Sequence, residues 1–213
     1  MSADQSAGRE RVLADIRSSL GRSSAAPSAI VPLVGDGARP AFDGDPVERF
    51  VAKMLEKSAT LVRVASLAEV GSEVARFVAS VNAGRSLCVS NALGAIAWPP
   101  EFEIHHRAAQ REDETSVTPC FAALAESGSI VTLSGPDTPS TLNFVPENHI
   151  VIVRASQVLR HLEDVWAQWR ALGRPMPRTL NIIAGPSRTA DIEQTIQLGA
   201  HGPRRLHVVL LMD

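Results

Sequence analysis

The sequence predicts an α/β domain built around a mixed sheet. Short β-branched runs such as TLVRVA and SLCVS alternate with helical patterns across residues 46–90, which is typical of α/β domains. The run HIVIVRA at 149–155 is apolar without strict alternation, as expected of a strand buried on both faces. The runs FAALA and SIVTL are close enough in sequence to form an antiparallel hairpin, so we expect both kinds of strand pair.

The composition excludes several classes of protein. With 213 residues and 45% hydrophobic content, the chain can bury one good core without disulfides or metals. Its net charge of −2 lacks the basic excess that binding to a phosphate backbone requires, so we expect no nucleic-acid partner. No apolar run approaches the roughly 20 residues of a membrane span, and no signal-peptide pattern opens the chain. We therefore predict a cytoplasmic protein with no membrane span.

Metal ligands are sparse. Cys88 and Cys120 are far apart in apolar settings and form neither a CxxC pair nor a Cys/His cluster with ligand spacing. His105 and His106 are adjacent, and neighbouring residues on a strand point to opposite faces. An iron–sulfur cluster normally takes four ligands, so we expect no metal site and no cofactor in this chain. The phosphate-binding patterns GxGxxG and GxxxxGK[ST] and the hydrolase pattern GxSxG are also absent.

The N-terminal part of the chain is predicted to lie outside the domain. An apolar stripe at helical spacing in residues 7–20 predicts a short amphipathic helix, which we interpret as a docking arm within segment 1–20. Four residues form the stripe: Val12, Leu13, Ile16 and Leu20. Residues 21–45 are rich in Gly, Pro, Ser and Ala without helical or strand periodicity, which indicates a linker. The α/β domain is predicted to span 46–213.

The first half of this domain follows ordinary helix and strand signals. Asp45 is predicted to cap a helix that begins at Pro46 and continues to about residue 57. Four of its residues are expected to face inward: Phe50, Val51, Met54 and Leu55. The strand TLVRVA, a helix at 67–81 and the strand SLCVS are expected to follow.

The last third of the chain is predicted to contain two helices and two strands after the run at 149–155. Ser156 is expected to cap a long helix over SQVLRHLEDVWAQWRAL. Its apolar stripe comprises Leu159, Leu162, Val165, Trp166 and Trp169. The strands TLNIIAG and RLHVVLL complete the chain. Between them, the Gly185–Pro186 turn is expected to lead into a short helix around Ala190–Gln197.

Glu126 is the first candidate functional residue. In open α/β sheets, ligands bind outside the carboxyl ends of strands, where loops and helix N-termini converge. Glu126 lies between two apolar runs beside Ser127, Gly128 and Ser129. A carboxylate held there could act as a general base, a nucleophile or an acceptor for a ligand hydroxyl. The alternative, an exposed acid in a hairpin loop, is equally compatible with the pattern.

Three further patches carry polar groups at the ends of apolar runs. Asn143 and His149 bracket the stretch before a buried strand; His149 suits proton transfer, although a structural donor is the slightly favoured alternative. Ser187, Arg188 and Thr189 are expected to hold a carboxylate or phosphate at the positive end of the following helix. Asp191 would repel such an anion and is equally explained as helix capping. His201 lies in the turn GAHGP, either as a placed imidazole or simply exposed.

Taken in order, these patches resemble a known family. The stretches ALAESGSIVTL, PENHIVIV and GPSRTADIEQTIQLGAHGPRRLHVVLL are similar to the LUD domain, and specifically to the lactate-utilisation protein C family. The resemblance covers residues 115–213 well and RERVLADIRSSLGR moderately. It implies a three-layer α/β/α domain with a mostly parallel sheet, of the kind shared with sugar-phosphate isomerases, deaminases and CoA transferases.

The resemblance also implies a role. The family acts in a three-component system that oxidises L-lactate to pyruvate, with iron–sulfur clusters on the other two components. We therefore expect a subunit that binds a small carboxylic acid and iron–sulfur partner subunits, with Glu126 as anchor or base and His149 and His201 as proton carriers. The expected substrate-binding residues are Ser127, Ser129, Asn143, Ser187, Arg188, Thr189 and Asp191.

Two alternatives stay open at this point. The protein could be a non-catalytic assembly protein for the iron–sulfur subunits, or a stand-alone enzyme acting on a phosphosugar or an acyl-CoA. The sequence does not decide between them, since function does not follow from fold. It also leaves open whether this chain makes or breaks any bond, and whether it forms a homo-oligomer.

Overall fold

The computed structural model describes residues 3–21, 39–192 and 195–213 of the chain. The chain divides into two compact units, Met1–Arg39 and Pro40–Asp213. The described part of the first unit forms helix α1 (Ala3–Ser19). The predicted division into an arm, a linker and a domain at residues 20 and 45 stays a prediction.

Helix α1 covers almost all of the stretch in which an amphipathic helix was predicted. Three of the four stripe residues, Val12, Ile16 and Leu20, are 49–61% exposed. They are spaced four residues apart, so they lie along one side of a helical segment. This side of the first unit is therefore an exposed apolar stripe.

The described residues of the second unit form four α-helices, two short 3₁₀ helices and twelve strands. The helices are α2 (Pro46–Glu56), α3 (Leu67–Ser80), α4 (Thr141–Phe144) and α5 (Leu162–Ala171), with 3₁₀ helices at Asn91–Leu93 and Ala155–Gln157. The strands are β1 (Thr60–Val64), β2 (Ser86–Val89), β3 (Glu103–His105), β4 (Thr115–Pro119), β5 (Ala122–Leu124), β6 (Ser129–Leu133), β7 (Asn148–Arg154), β8 (Val158–Leu159), β9 (Leu180–Ile183), β10 (Arg188–Ile192), β11 (Thr195–Leu198) and β12 (Arg205–Leu211).

A six-stranded parallel sheet forms the centre of the second unit. Its order is β1-β12-β7-β4-β2-β3, and each neighbouring pair is parallel. Helix α3 packs against one face of the sheet and helix α2 against the other. This arrangement confirms the predicted α/β class and the mostly parallel sheet.

The central strands β7 and β12 are buried on both faces. Alternate residues of a strand point to opposite faces, and here each set enters a different core. The core on the α3 face takes Ile150, Ile152, Val209 and Leu211. The core on the α2 face takes Val151, Val153, Leu206, Val208 and Leu210. The near-continuous apolar runs of these strands follow from this double burial.

Helix α2 begins where the sequence indicated. The Asp45 carboxylate accepts a hydrogen bond from the amide of Val47 at 2.6 Å, and Pro46 is the first helical residue. Phe50 and Met54 are fully buried against the sheet. The prediction for Leu55 was wrong, because this side chain is 51% exposed.

Two antiparallel pairs, β5–β6 and β6–β9, belong to a second, four-stranded sheet of order β8-β5-β6-β9, and β10 and β11 form a separate two-stranded sheet. Strands β5 and β6 form the predicted hairpin, with Ala122 opposite Val131. One face of this sheet contributes Ala123 and Ile130 to the core on the α2 face. The other face packs against α5. The second sheet therefore separates α5 from the parallel sheet.

The long helix predicted from Ser156 starts six residues later. Ser156 instead donates its amide and hydroxyl to the Asp213 carboxylate, at 3.1 and 3.0 Å. Leu159 lies in strand β8, which pairs with β5, so the chain is extended where a helix was expected. Helix α5 begins at Leu162, and its Val165 and Trp169 are buried. Pairing to a distant strand thus overrides the local helical pattern.

The predicted helix around Ala190–Gln197 is also wrong. The segment forms the antiparallel strands β10 and β11, with Arg188 opposite Leu198 and Ile192 opposite Thr195. β-branched residues such as Thr and Ile favour strands over helices.

No helix in the described ranges of either unit is long and apolar enough to cross a membrane.

Replacing Gly128 should destabilise the second unit through a contact with α2. Gly128 has φ +64, and a Cβ there would lie 2.5 Å from the Lys53 Cβ and 2.8 Å from its carbonyl carbon. Left-handed backbone strain and overpacking together predict a loss of about 2–5 kcal/mol in the free energy of unfolding for Gly128→Ala. Urea denaturation measures this loss.

Gly173→Ala is the matched control for this prediction. Gly173 has φ +60, and no described atom lies within 4 Å of the position that an added methyl would occupy. Only the backbone strain of about 1–2 kcal/mol should therefore remain. Equal losses in the two variants would contradict the contact between the hairpin turn and α2.

Candidate functional site

One cavity gathers residues from three of the four predicted patches. It has a volume of about 260 Å³, and its lining includes Asn143, His149, Ser187, Arg188 and His201. We call it the His149 cavity. A volume just below the range of drug-sized pockets fits a small ligand.

The His149 cavity lies at the amino ends of the central strands. His149 and Leu206, the second residues of β7 and β12, both line it. Ligands of open α/β sheets usually bind at the opposite edge, outside the carboxyl ends of the strands, whereas the patch at residues 143–149 leads into its strand in the sequence. The chain returns from β9 past the edge at the amino ends, so the polar residues that follow β9 meet the beginning of the parallel strands.

Ser187 joins the two segments at the edge of the cavity. Its amide donates to the Pro203 carbonyl at 2.8 Å, and its carbonyl accepts from the Gly199 amide at 3.1 Å. Its hydroxyl oxygen accepts from the His201 amide at 3.3 Å. Gly185, with φ +115, lets the chain turn into this arrangement. The sequences GPSR and GAHGP thus form one hydrogen-bonded unit.

Two buried polar atoms of the cavity lining have no partner within the described ranges. Asn143 donates from Nδ2 to Thr132 Oγ1 at 3.1 Å, and its Oδ1 is unpaired. His149 Nε2 is 2.8 Å from Thr118 Oγ1, and its Nδ1 is unpaired. Both side chains are at most 1% exposed. Each unpaired buried group costs about 1–3 kcal/mol, so a ligand that pairs with both would recover this cost.

Burial determines the protonation of His149. Removal from water disfavours the imidazolium and lowers the pKa of His149 to about 3. The ring is therefore neutral near pH 7. It can donate or accept a hydrogen bond, but it is too weak a base for the proton-carrying role expected from the sequence.

The lining has a single fully ionised side chain in the described part of the chain. Arg188 lines the cavity, and no Asp, Glu or Lys does. Its Nη2 donates to the hydroxyl of Ser58, which holds the guanidinium in place. A guanidinium opposite neutral polar groups attracts an anion such as a carboxylate. The positive charge comes from a side chain, because the helix expected after Arg188 is a strand.

Glu126 lies at the N-terminus of α5 and does not line the His149 cavity. Its Oε1 accepts from the Leu162 amide at 2.8 Å, and its Oε2 is 2.9 Å from His161 Nδ1. A carboxylate at this position pairs with a free helix amide and complements the helix dipole. The expected pocket carboxylate is therefore a helix cap supplied from the neighbouring hairpin.

The other predicted site residues lie outside the cavity lining. Ser127 lies in the hairpin turn and Ser129 begins β6, with their hydroxyl oxygens 3.0 Å apart. Thr189 follows Arg188 on β10 but does not line the cavity. The backbone of Asp191 belongs to β10, and its side chain lies outside the described part of the structure.

Sequence reasoning missed the apolar part of the cavity. Phe144, Ile182 and Leu206 line it, and the first two are 43% and 46% exposed. Phe144 directly follows Asn143, and Ile182 closely precedes the GPSR segment, so proximity to the motifs is the one signal that indicated them. Apolar walls with few polar groups are typical of small-molecule sites.

Comparison with known proteins assigns the family. The LUD domain matches residues 103–211, which is just over half of the chain. The chain belongs to the LUD domain family. The matched segment contains the hairpin turn and every residue that lines the His149 cavity.

Several curated proteins are similar to part of this LUD chain. Lactate utilization protein C of Exiguobacterium is 35% identical over 103 residues, covering 47% of this chain and 45% of the relative. Lactate utilization protein C of Bacillus subtilis is 30% identical over 125 residues, covering 56% and 52%. YkgG of Escherichia coli, described as uncharacterized, is 31% identical over 122 residues, covering 56% and 53%. The chain spans about half the length of the curated relatives it matches.

A solved structure supports the fold. The crystal structure of a DUF162 family protein from Deinococcus radiodurans superposes with a TM-score of 0.57 at 21% identity. The match covers 81% of this chain and 99% of the other. At this identity, the likeness concerns the fold alone.

Metal ligands do not converge in the described ranges. No group of three or more His, Cys, Asp or Glu residues there could hold a metal ion. His105 ends the edge strand β3, and Nδ1 of the next residue, His106, is 3.0 Å from the Val89 carbonyl.

Removing the Glu126 carboxylate should affect stability and leave the His149 cavity intact. Glu126→Ala removes the cap of α5 and should lower the free energy of unfolding by about 1–2 kcal/mol. Urea denaturation measures the loss. Glu163→Ala removes an exposed acid from the same helical turn. This control should change the free energy of unfolding by less than about 0.5 kcal/mol. Loss of ligand binding in a folded Glu126→Ala protein would contradict the capping role.

His149 should make the protein less stable in mild acid. Its pKa is about 3 in the fold, against 6.5 for a histidine in water, so between these values the unfolded state holds the extra proton. The free energy of unfolding therefore falls as the pH drops, and this residue contributes about 2 kcal/mol of loss between pH 7 and pH 5. His149→Gln should lose about that much less than the wild type over this interval.

A second histidine provides an internal control. Burial also lowers the pKa of His207, to about 4, so His149→Gln/His207→Gln should flatten the pH dependence further than either single variant. If the free energy of unfolding changed equally with pH in the wild type and in His149→Gln, His149 would be protonated in the fold.

Proposed function

We propose that this protein is a component of an L-lactate utilisation system and that its His149 cavity binds a small organic acid. The observation that carries the proposal is the pair of unpaired buried atoms, Asn143 Oδ1 and His149 Nδ1, in a cavity whose one fully ionised lining residue is Arg188. Two of the similar proteins are named Lactate utilization protein C, which supports the choice of lactate.

The lining of the His149 cavity has a residue that could contact each chemical group of a 2-hydroxy or 2-keto acid. The carboxylate would pair with the Arg188 guanidinium, which matches its planar geometry. The hydroxyl or keto oxygen would lie near Asn143 and His149, where a hydroxyl proton can satisfy Asn143 Oδ1. The apolar remainder would contact Ile182 and Leu206. A short ligand of this kind suits the small volume of the cavity.

The redox chemistry would belong to partner subunits that carry iron–sulfur clusters, with no cofactor in this chain. Both cysteines are buried, and burial raises the pKa of Cys88 to about 11 and of Cys120 to about 12. Metal centres bind the thiolate form. These thiols are therefore poor ligands, which supports placing the clusters on other subunits.

An assembly role is the second candidate. The exposed stripe of Val12, Ile16 and Leu20 on the first unit favours it, because exposed apolar residues spaced four apart on a helix can serve as anchors in a partner's groove. In this version α1 recruits the iron–sulfur subunits, and the His149 cavity plays no part in their binding.

Calorimetric and thermal-shift titrations should detect the ligand. We expect L-lactate or pyruvate at 100 times its Kd to raise Tm by about 5–10 °C, and ribose 5-phosphate and coenzyme A to have no effect. Arg188→Gln, which removes a charged hydrogen bond, should weaken binding about 10–100-fold. Arg174→Gln, an exposed residue that does not line the cavity, should bind as the wild type does.

The other outcomes separate the alternatives. No shift with either acid would contradict the ligand site and favour the assembly role; loss of iron–sulfur partners from a pull-down with Val12→Asp/Ile16→Asp would then support it. A shift with ribose 5-phosphate or coenzyme A, together with turnover by the isolated chain, would favour a stand-alone enzyme.

A further inference from the structure

A second and larger cavity lies at the same edge of the parallel sheet. It has a volume of about 490 Å³ and lies between the last turn of α3 and the first residues of β1 and β12. Three arginines line it: Arg76, Arg204 and Arg205. We call it the Arg-lined cavity. Its volume is within the range of pockets that bury a whole small molecule.

Apolar and aromatic groups form much of its wall. Phe77 and His207 stack with ring centroids 4.2 Å apart and an interplanar angle of 14°. His207 Nδ1 is 2.7 Å from Thr60 Oγ1, and its burial keeps the ring neutral near pH 7. Val62 and Val81 add aliphatic surface. This wall suits a hydrocarbon chain or a flat apolar ring.

The charged lining is predominantly positive. Glu73 is its one acid within the described ranges, and it already pairs with Arg76 at 2.7 Å. Arg204 and Arg205 reach Glu147 only at 3.5 and 3.4 Å, and all three side chains are 38–52% exposed. Such long, solvated ion pairs contribute little to the free energy of unfolding. Arg205 also donates from Nη1 to Asn148 Oδ1 at 3.2 Å, a single hydrogen bond of modest net strength. Both guanidiniums can therefore turn to an anion at the mouth at a modest cost.

The two cavities adjoin but differ in their polar groups. Leu206 lines both, and Ser58, which lines the Arg-lined cavity, accepts a hydrogen bond from Arg188 of the His149 cavity. The His149 cavity has one arginine and two unpaired buried atoms. The Arg-lined cavity has nearly twice the volume, three arginines and an aromatic wall. The same small acid would leave much of the larger cavity unfilled.

We propose that the Arg-lined cavity is a binding site for an amphipathic anion, with its acidic head on Arg204 and Arg205 and its apolar body along Val62, Phe77 and Val81. The shared chemistry is a carboxylate or phosphate on an unbranched chain or flat apolar group. A medium-chain fatty acid is the simplest molecule of this kind. The site is separate from the proposed lactate site and does not depend on it.

Calorimetric titration of the full chain with butanoate, hexanoate, octanoate and decanoate tests the proposal. Affinity should rise about fourfold for each added methylene until the cavity is full, which corresponds to the burial of one methylene. Octanol, which lacks the charge, should bind at least about tenfold more weakly than octanoate. Octyl phosphate separates the two head groups: tighter binding than octanoate identifies a phosphate ligand, and weaker binding a carboxylate.

Variants locate the bound molecule. Arg204→Gln/Arg205→Gln should weaken octanoate binding about tenfold or more, whereas Arg170→Gln/Arg174→Gln removes two exposed charges that do not line the cavity and should leave it unchanged. Ser80→Trp places an indole at an exposed position of the lining and should block binding. Asn143→Ala should have no effect, because this residue lines only the His149 cavity.

The opposite results would overturn the proposal. Octanoate that fails to bind the wild type, or an affinity that does not change with chain length, would show that the apolar wall takes no ligand. Equal weakening by both double-arginine variants would indicate general charge attraction. Loss of octanoate binding in Asn143→Ala would place the molecule in the His149 cavity.

Discussion

Burial of β7 and β12 on both faces is the constraint on which the rest of this LUD domain depends. Each strand sends alternate side chains into two different cores, so the pair cannot shift or rotate without exposing one of them. The first residues of both strands are consequently fixed. His149 and Leu206 are the second residues of these strands, so one side of the His149 cavity is rigid, and the segments after β9 pack against it.

The fixed position of these strands also explains why residues that line the His149 cavity have unpaired polar atoms. The first residues of β7 are buried, so a polar side chain there must find a partner or remain unpaired at a cost. Thr118 satisfies one nitrogen of His149, and Thr132 satisfies the amide nitrogen of Asn143. His149 Nδ1 and Asn143 Oδ1 stay unpaired within the described ranges, and both residues line a cavity that Arg188 also lines. Unpaired buried polarity is a stronger indication of a ligand site here than the presence of an acid at the end of a strand.

The Glu126 turn shows the limit of reasoning from single motifs. A carboxylate between small residues could be a catalytic base or a structural hydrogen-bond acceptor. Its hydrogen-bond partners in the fold distinguish these two roles. Glu126 meets the start of α5, while Gly128 packs closely on α2. The turn thus joins two helices to the second sheet, and its acid and its glycine both serve packing. The sequence motifs that contribute to the His149 cavity are far apart along the chain. The order of the strands, and not the spacing in the sequence, brings Asn143, Arg188 and His201 together.

The sequence by itself determined the α/β class, the start of α2 at Asp45 and Pro46, the β5–β6 hairpin and the two buried strands, because these features follow from local capping, turn and burial patterns. It also indicated five residues of the His149 cavity. Only the tertiary structure decided that Ser156 binds Asp213 in place of capping a helix, that residues 188–192 pair with 195–198 as strands, and that His149 is neutral. Each of these outcomes depends on partners or burial supplied by distant parts of the chain, and such contacts leave no periodic signal in the sequence.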